Sequence, residues 1–539
     1  MLCRKMKGHS FENDQPFPFR PRTKQVNLMA SSLPLHQHIT RKRLPSLLST
    51  HKRALILFTF ACAIYYIFSS STQNLSSQID YNINSLFWAP RISLQDKDSS
   101  AYPSTFFTKD ALWENELKPV SAIVLRVTDD DQSIINTINH LLKYPYISEI
   151  YIHNLVPDRP ITLNKLKADP KISTPIEILD IKHEQLESMA RFTTCATAVQ
   201  PYCYFQDDTF INRAMDSLYT NFLRFPSIIH ANTKPTHYEK EMKWRFYNKD
   251  IRLHTGYADL RFGAFVPRWK VQAFLTQLGK SGLVKENIHE AEHYFAIWMN
   301  QYPWLLSNPP YLASGQKATD YDVKYPAALD SFTYDAVRYL QWSLEQNEQT
   351  YFEIEEEEPS LAHRDVKSSC VNDKCLLITS MDSYVHPERI PFDYRTIASI
   401  EQLETLYDKL STGTEWVQHS YHLAVDSDPT TCWDTLRAPK KGDYFGLMLV
   451  GSLKTDTLTM YTPNEIKRPE KQFLISVMEE GSNRWAKCKA TQIERGYNNR
   501  IQLTIDCPVD YYRLIKVSFN SDLSVPFKLC SLSLDNFST

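Results

Sequence analysis

The chain has no Walker-type glycine loop, no cysteine–histidine set at zinc-ligand spacing and no Gly-x-Ser-x-Gly elbow. Those absences argue against kinase, zinc-enzyme and α/β-hydrolase chemistry. Net charge is nearly absent too. Sixty Lys and Arg against 62 Asp and Glu leave −2 at pH 7, so no basic excess points to a nucleic-acid partner. No internal repeat is visible. What is present is a globular composition, 42% hydrophobic and 23% charged, over 539 residues. That length is too great for one ordinary core and predicts two or three folded units.

The balanced total hides an asymmetry. Residues 1–53 carry eleven Lys or Arg against only Glu12 and Asp14, then run into Ala54–Phe68 (ALILFTFACAIYYIF), and no charge follows until Asp80. Fifteen helical residues reach roughly 22 Å, short against a usual ~20-residue span. A cleaved signal peptide would have a far shorter basic region. A core helix is seldom uncharged all round with so lopsided a flank. A signal anchor explains both features, and the basic flank places the N-terminus in the cytoplasm. The short span suits the thinner bilayers of the early secretory pathway. The expectation is a single-pass type II Golgi membrane protein with a cytoplasmic tail (1–53), an anchor (54–68), a Ser-, Asn- and Gln-rich stem (69–115) and a lumenal body.

Cysteine usage fits that compartment. Eight cysteines lie beyond the apolar run, at 195, 203, 370, 375, 432, 488, 507 and 530. An even count in an oxidising compartment permits four disulfides, with buried free thiols as the alternative and no pairing readable from spacing. Asn74-Leu75-Ser76 and Asn536-Phe537-Ser538 are glycosylation sequons on the expected lumenal side.

The body divides by periodicity. Val120–Val127 (VSAIVLRV) is a short β-branched run ending in Thr128-Asp129-Asp130-Asp131. Ser133–Leu142 is apolar at helical spacing; Glu149–Leu155 (EIYIHNL) and Ile176–Ile181 read as strands, Glu184–Val199 as a helix and Tyr202–Phe205 as a strand. Strands alternating with helices predict a mostly parallel α/β sheet over residues 116–345. Ligands of such sheets bind at the carboxyl ends of the strands. An acidic run, Glu353–Pro359, reads as a solvated linker within an unassigned stretch, 346–411. From 412 to 539 short strands separated by turns (Tyr444–Val450, Thr457–Tyr461, Phe473–Met478, Ile501–Asp506, Arg513–Phe519) predict a β-sandwich.

The stretch that carries most chemistry is Tyr204-Phe205-Gln206-Asp207-Asp208-Thr209. A strand running into paired carboxylates puts them at the ligand edge. Hard cations such as Mg²⁺ or Mn²⁺ take oxygen ligands, typically one or two carboxylates plus substrate phosphates. Alone, the pair reads more readily as a solvated strand end or a helix cap. Together with VSAIVLRVTDDD, EIYIHNL, ARFTTCATAVQPYCYFQDDTFI, LRFPSIIHA, TGYADLRFGAFVPR and EAEHYFAIWMN, in that order, it resembles the GT-A catalytic domain of the exostosin-like glycosyltransferases over about 119–305.

The resemblance implies transfer of a hexosyl or N-acetylhexosaminyl unit from a UDP-sugar to a glycan or glycoprotein acceptor, with retention of configuration and with Mn²⁺ or Mg²⁺ neutralising the diphosphate. It further implies Asp208 as metal ligand, and Asp207 holding the ribose or the metal's water shell. Arg191 would contact the uridine or diphosphate, and Thr128, Asp129 and Asn154 would line the nucleotide pocket. Glu292 would lie near the reacting sugar. Two departures matter. Gln206 stands where the family has the first Asp of its motif, and His293 where it has the second member of a late acidic pair; His293 would bind metal, assist an acceptor hydroxyl, or do neither. Two formal negative charges are lost, and the alternative is a catalytically inactive transferase fold that binds glycans. His254 reads as a polar surface or core residue rather than a ligand, Glu290 points away from Glu292 on a helix, and the Tyr294–Trp304 aromatics read as core. Gly263 and Ala264 are expected at a close approach.

Residues 415–535 resemble a discoidin (coagulation factor type C) domain through AVDSDPTTCW, GDYFGLML, FLISVMEEGSNRW and YYRLIKVSF. The resemblance implies structural roles for Trp433 and Arg513 and loops at one end that bind carbohydrate or lipid. Acceptor-glycan binding that raises effective concentration is the expectation.

Overall fold

A computed structural model describes residues 117–537 apart from 167–173, 181–188, 282–290, 319–328, 347–363, 411–414 and a few single or paired positions. The expected tail, anchor, stem, Asn74 sequon, acidic run and Glu290 lie outside the described residues. Among the described residues no helix is long and apolar enough to cross a membrane.

The first domain is built on a seven-stranded mixed sheet. β1 (Val120–Arg126) is buried along its whole length, as a central strand covered on both faces must be. The helix α1 (Asp131–Leu141) follows, capped by Asp130, whose carboxylate accepts from Gln132 N. Its buried Ile134, Ile138 and Leu141 recur at the helical period and face the sheet. β2 (Ile147–Asn154), β3 (Ile176–Asp180), α2 (Ala190–Thr197) and β4 (Tyr202–Asp207) come next. After the short β5 (Phe210–Ile211) and α3 (Met215–Arg224), the sheet is completed by three strands. These are β6 (His230–Thr233), β7 (Ala264–Pro267) and β8 (Trp304–Ser307). The spatial order is β3-β2-β1-β4-β7-β6-β8. β7 runs antiparallel to both neighbours, and the other pairs are parallel.

The second domain is a sandwich of antiparallel sheets. The larger has six strands, ordered β10-β11-β12-β18-β14-β15. In chain order they are β10 (Val366–Ser369), β11 (Cys375–Thr379), β12 (Tyr444–Leu453), β14 (Phe473–Glu479), β15 (Trp485–Lys487) and β18 (Tyr512–Phe519). The smaller has four, β16-β17-β13-β19, formed by β13 (Thr455–Tyr461), β16 (Lys489–Arg495), β17 (Arg500–Asp506) and β19 (Ser531–Phe537). The unassigned stretch 346–411 thus contributes two strands to the sandwich. β11 pairs with β12 from Cys375↔Leu449 to Thr379↔Phe445. Four disulfides close the fold: Cys195–Cys203, Cys370–Cys375, Cys432–Cys530 and Cys488–Cys507.

The two sheets of the sandwich are buried differently. In β17 burial alternates, with Ile501, Leu503 and Ile505 inward, as a half-wet antiparallel strand requires. In β12 it does not. Phe445, Leu447 and Leu449 face the sandwich interior with Leu458, Met460 and Ile515. Met448 and Val450 face the other way, into one cluster with Leu218, Tyr219 and Phe222 of α3 and with Trp304. The larger sheet is therefore the shared wall of both domains, which belong to one compact unit. Polar contacts cross the same wall. Asp373, in the β10–β11 turn, accepts from Asp216 N (2.8 Å) and Ser217 N (2.9 Å). It thereby caps α3, whose own preceding residue Ala214 cannot. Trp304 Nε1 donates to Val366 O at 3.0 Å.

Candidate functional site

The order of strands creates a switch point. From β1 the chain moves outward through β2 and β3, then returns to the other side of β1 as β4. Connections leave the carboxyl ends of β1 and β4 in opposite directions, which opens the crevice where α/β sheets hold ligands. Asp207 and Asp208 stand at that edge, opposite Val127 and Thr128.

Asp208 is fully buried. Its amide donates to Leu125 O at 2.9 Å. Oδ1 accepts from Val127 N (3.0 Å) and Thr128 N (3.2 Å), and Oδ2 from Thr128 Oγ1 (2.7 Å). Burial pushes its carboxyl up to about 6 against the pull of these donors. Asp207 faces Arg191, whose Nη2 is 2.8 Å from Oδ1. Burial raises Asp207 as well, opposed chiefly by Arg191. Arg191 comes from α2 and is itself 1% exposed. Its Nε lies 2.5 Å from Glu292 Oε1, an ion pair. Glu292 belongs to α4 (Ala291–Trp298). The Cys195–Cys203 bond ties α2 to β4 and fixes the spacing of Arg191 and Asp207.

Five of the expected residues, Thr128, Asp207, Asp208, Arg191 and Glu292, thus form one connected chain. Asn154 and Asp129 belong to a knot beside it. Asn154 Oδ1 accepts from Arg126 Nη1 at 3.2 Å, and Arg126 also reaches Asp131 Oδ1 at 2.6 Å. Asp129 is exposed and contributes its carbonyl to Arg159 Nη1 (2.7 Å). His293 has its ring 5.1 Å from that of Phe332, on the helix α5 (Leu329–Glu345). Gln206 turns to Tyr204 Oη (2.6 Å) and Phe210 O (2.5 Å), bracing the turn into β5. His254 bonds Arg252 O.

Sequence reasoning passed over Arg126, Arg159 and the pair Asp259–Arg261. Arg261 Nη2 is 2.7 Å from Asp259 Oδ2, and its carbonyl accepts from Asp207 N (3.2 Å). The Asp-x-Arg spacing inside TGYADLRFGAF was the available signal.

A divalent cation would need carboxylate oxygens facing open space. Asp208 presents its oxygens to three donors from the β1 end, and Asp207 gives one oxygen to Arg191. No group of three or more His, Cys, Asp or Glu among the described residues is placed to hold a metal ion. As arranged, Asp208 serves as the clamp of the β1 loop.

A second feature lies beyond β5. A cleft of about 280 Å³ opens between the α/β domain and the sandwich. Phe210 and Phe262, only 4% and 3% exposed, give it an apolar floor. Beside them stands a chain of amides. Asn232 Nδ2 donates to Asn212 Oδ1 (2.5 Å) and Asn308 Nδ2 to Asn232 Oδ1 (2.8 Å). Gly263, at φ +106°, makes room. A Cβ there would lie 2.4 Å from Tyr204 Oη and 2.8 Å from Asn212 Nδ2. The rim carries Arg213, Tyr311 and Lys317 from one domain and Asp426 and Asp428 from the other. His422, in the wall, is driven down to about 3 by burial, with Lys317 adding to the shift, and is neutral at physiological pH.

No family model matches the sequence, and no curated protein matches it. Solved structures similar to part of the chain are discoidin-like carbohydrate-binding modules. CpGH89CBM32-5 of Clostridium perfringens, in complex with GalNAc-β-1,3-galactose, is 16% identical over 22% of this chain and 84% of its own, at a TM-score of 0.18. The family 32 module of C. perfringens NanJ, in complex with galactose, is 15% identical over 22% and 85%, also at 0.18. A pectin-binding module is 13% identical over 21% and 78%, at 0.16. At these TM-scores the likeness carries no weight for function.

Proposed function

We propose that the chain is a glycan-binding protein of the secretory pathway, in which a discoidin-like sandwich and a transferase-like α/β domain together hold the sugar. The observation that carries this reading is the cleft between them. Its apolar aromatic floor and charged rim are the groups that meet the two faces of a sugar ring, one of C–H and one of hydroxyls. Four disulfides support an oxidising compartment. The basic flank and apolar run of residues 1–68 support a type II anchor in the Golgi membrane. The test is a glycan array probed with the lumenal part of the chain, residues 69–539. Binding above background to a defined glycan set supports the reading, and none overturns it.

A second reading, transfer of a sugar from a UDP-sugar, is favoured by the position of Asp207, Asp208 and Arg191 at the switch point. Under it Arg191 would meet the diphosphate, and Glu292 and His293 would stand near the reacting sugar. Calorimetric titration of UDP with and without Mn²⁺ separates the two readings. Metal-dependent binding that Asp208→Asn abolishes would favour transfer. Absence of UDP binding leaves glycan recognition alone.

A further inference from the structure

We infer that the interdomain cleft selects a neutral sugar unit and rejects sulfated and uronic-acid glycans, an inference that rests on the glycan-binding reading. Charges of opposite sign face the cleft from its two walls. Arg213 and Lys317 come from the α/β domain, Asp426 and Asp428 from the sandwich loop before Trp433. An anionic unit that pairs with Arg213 and Lys317 is also brought against two carboxylates, and a cationic unit that pairs with those carboxylates against a guanidinium and an ammonium, so neither gains a net attraction. A neutral polyol meets both walls, because a hydroxyl donates to a carboxylate and accepts from a guanidinium.

Arg213, Asp426 and Asp428 are held in place before any ligand arrives. Asp426 Oδ1 accepts from Asp428 N (3.0 Å) and Oδ2 from Thr431 Oγ1 (2.7 Å). Asp428 Oδ1 accepts from Thr430 N (2.9 Å) and Thr430 Oγ1 (2.6 Å). Arg213 lies 4.0 Å above the Tyr311 ring and donates to Gly315 O at 2.8 Å. Little side-chain freedom is left to lose on binding. Charge selection is therefore a property of the junction, since neither wall alone presents both signs.

The experiment measures the residues 69–539 protein and its variants against neutral, sulfated and uronic-acid glycans on one array. Thermal melts confirm that each variant folds. Wild type is expected to bind neutral glycans at least tenfold better than their sulfated counterparts. The double variant Asp426→Asn/Asp428→Asn should shrink that ratio severalfold, and Lys317→Gln should weaken residual anionic binding. Equal wild-type binding of sulfated and neutral glycans, or an unchanged ratio in folded double variant, would overturn the inference and leave glycan binding standing. No glycan binding by wild type would overturn both.

Discussion

The carboxyl edge of the α/β sheet and the cleft beneath the sandwich loop are both dense in polar side chains, yet they place them differently. At the edge the charges are spent on one another and on the backbone. Asp208 closes on the β1 loop, and Asp207 and Glu292 share Arg191. In the cleft the amides bond one another sideways while Arg213, Lys317, Asp426 and Asp428 stand at the rim. A conspicuous motif can be tied into the fold by its neighbours, while a cleft is assembled from residues far apart in the chain.

The largest expected effect tests the edge. Arg191→Met leaves Asp207 and Glu292 without their buried counter-charge, a loss on the order of 3–5 kcal/mol in urea unfolding. Adding Asp207→Asn and Glu292→Gln should recover part of it, since the three act as one group. Additive losses would break the contrast with the cleft.

A smaller effect tests the cleft by pH. His422 has a folded value near 3 against about 6.5 unfolded. The unfolded state binds the extra proton between those values, so stability is full above pH 6.5 and falls with pH below it. At pH 5 the loss from this residue is about 2 kcal/mol. His422→Gln should remove that share of the acid limb when unfolding is compared at pH 8 and pH 5. An unchanged limb would show that other buried histidines govern it.

Thr128→Val should cost about 1–2 kcal/mol, because it deletes one donor to a buried carboxylate and loosens the β1 loop. Hydrogen exchange at Val127 and Thr128 would register the loosening. The smallest effect belongs to the rim. Asp428→Asn should leave the midpoint of urea unfolding nearly unchanged, since the side chain is exposed and its turn bonds can be kept by an amide.

Much of the architecture was legible in the chain. Runs such as VSAIVLR and IQLTID declare strands through local pattern alone, and the predicted 473–478 and 501–506 fall within observed strands. The pair β10–β11 was not legible, because its partner β12 lies about seventy residues on and register over that distance is a tertiary property. The same limit applies at the site. The Asp207-Asp208 edge was visible, but not that Thr128 and Arg191 would occupy its oxygens. The cleft draws on residues 210–214, 308–317, 369–371 and 422–428, which no local window joins.

The double-sided burial of the larger sandwich sheet decides how the molecule can be dissected. A fragment starting at residue 412 would drop β10 and β11, leave β12 as a bare edge, and wet Met448, Val450 and Leu514 where α3 and Trp304 now lie. Such an edge invites strand-to-strand association between copies. A soluble sandwich would have to begin before Val366 and still carry substitutions on the face it shares with its neighbour.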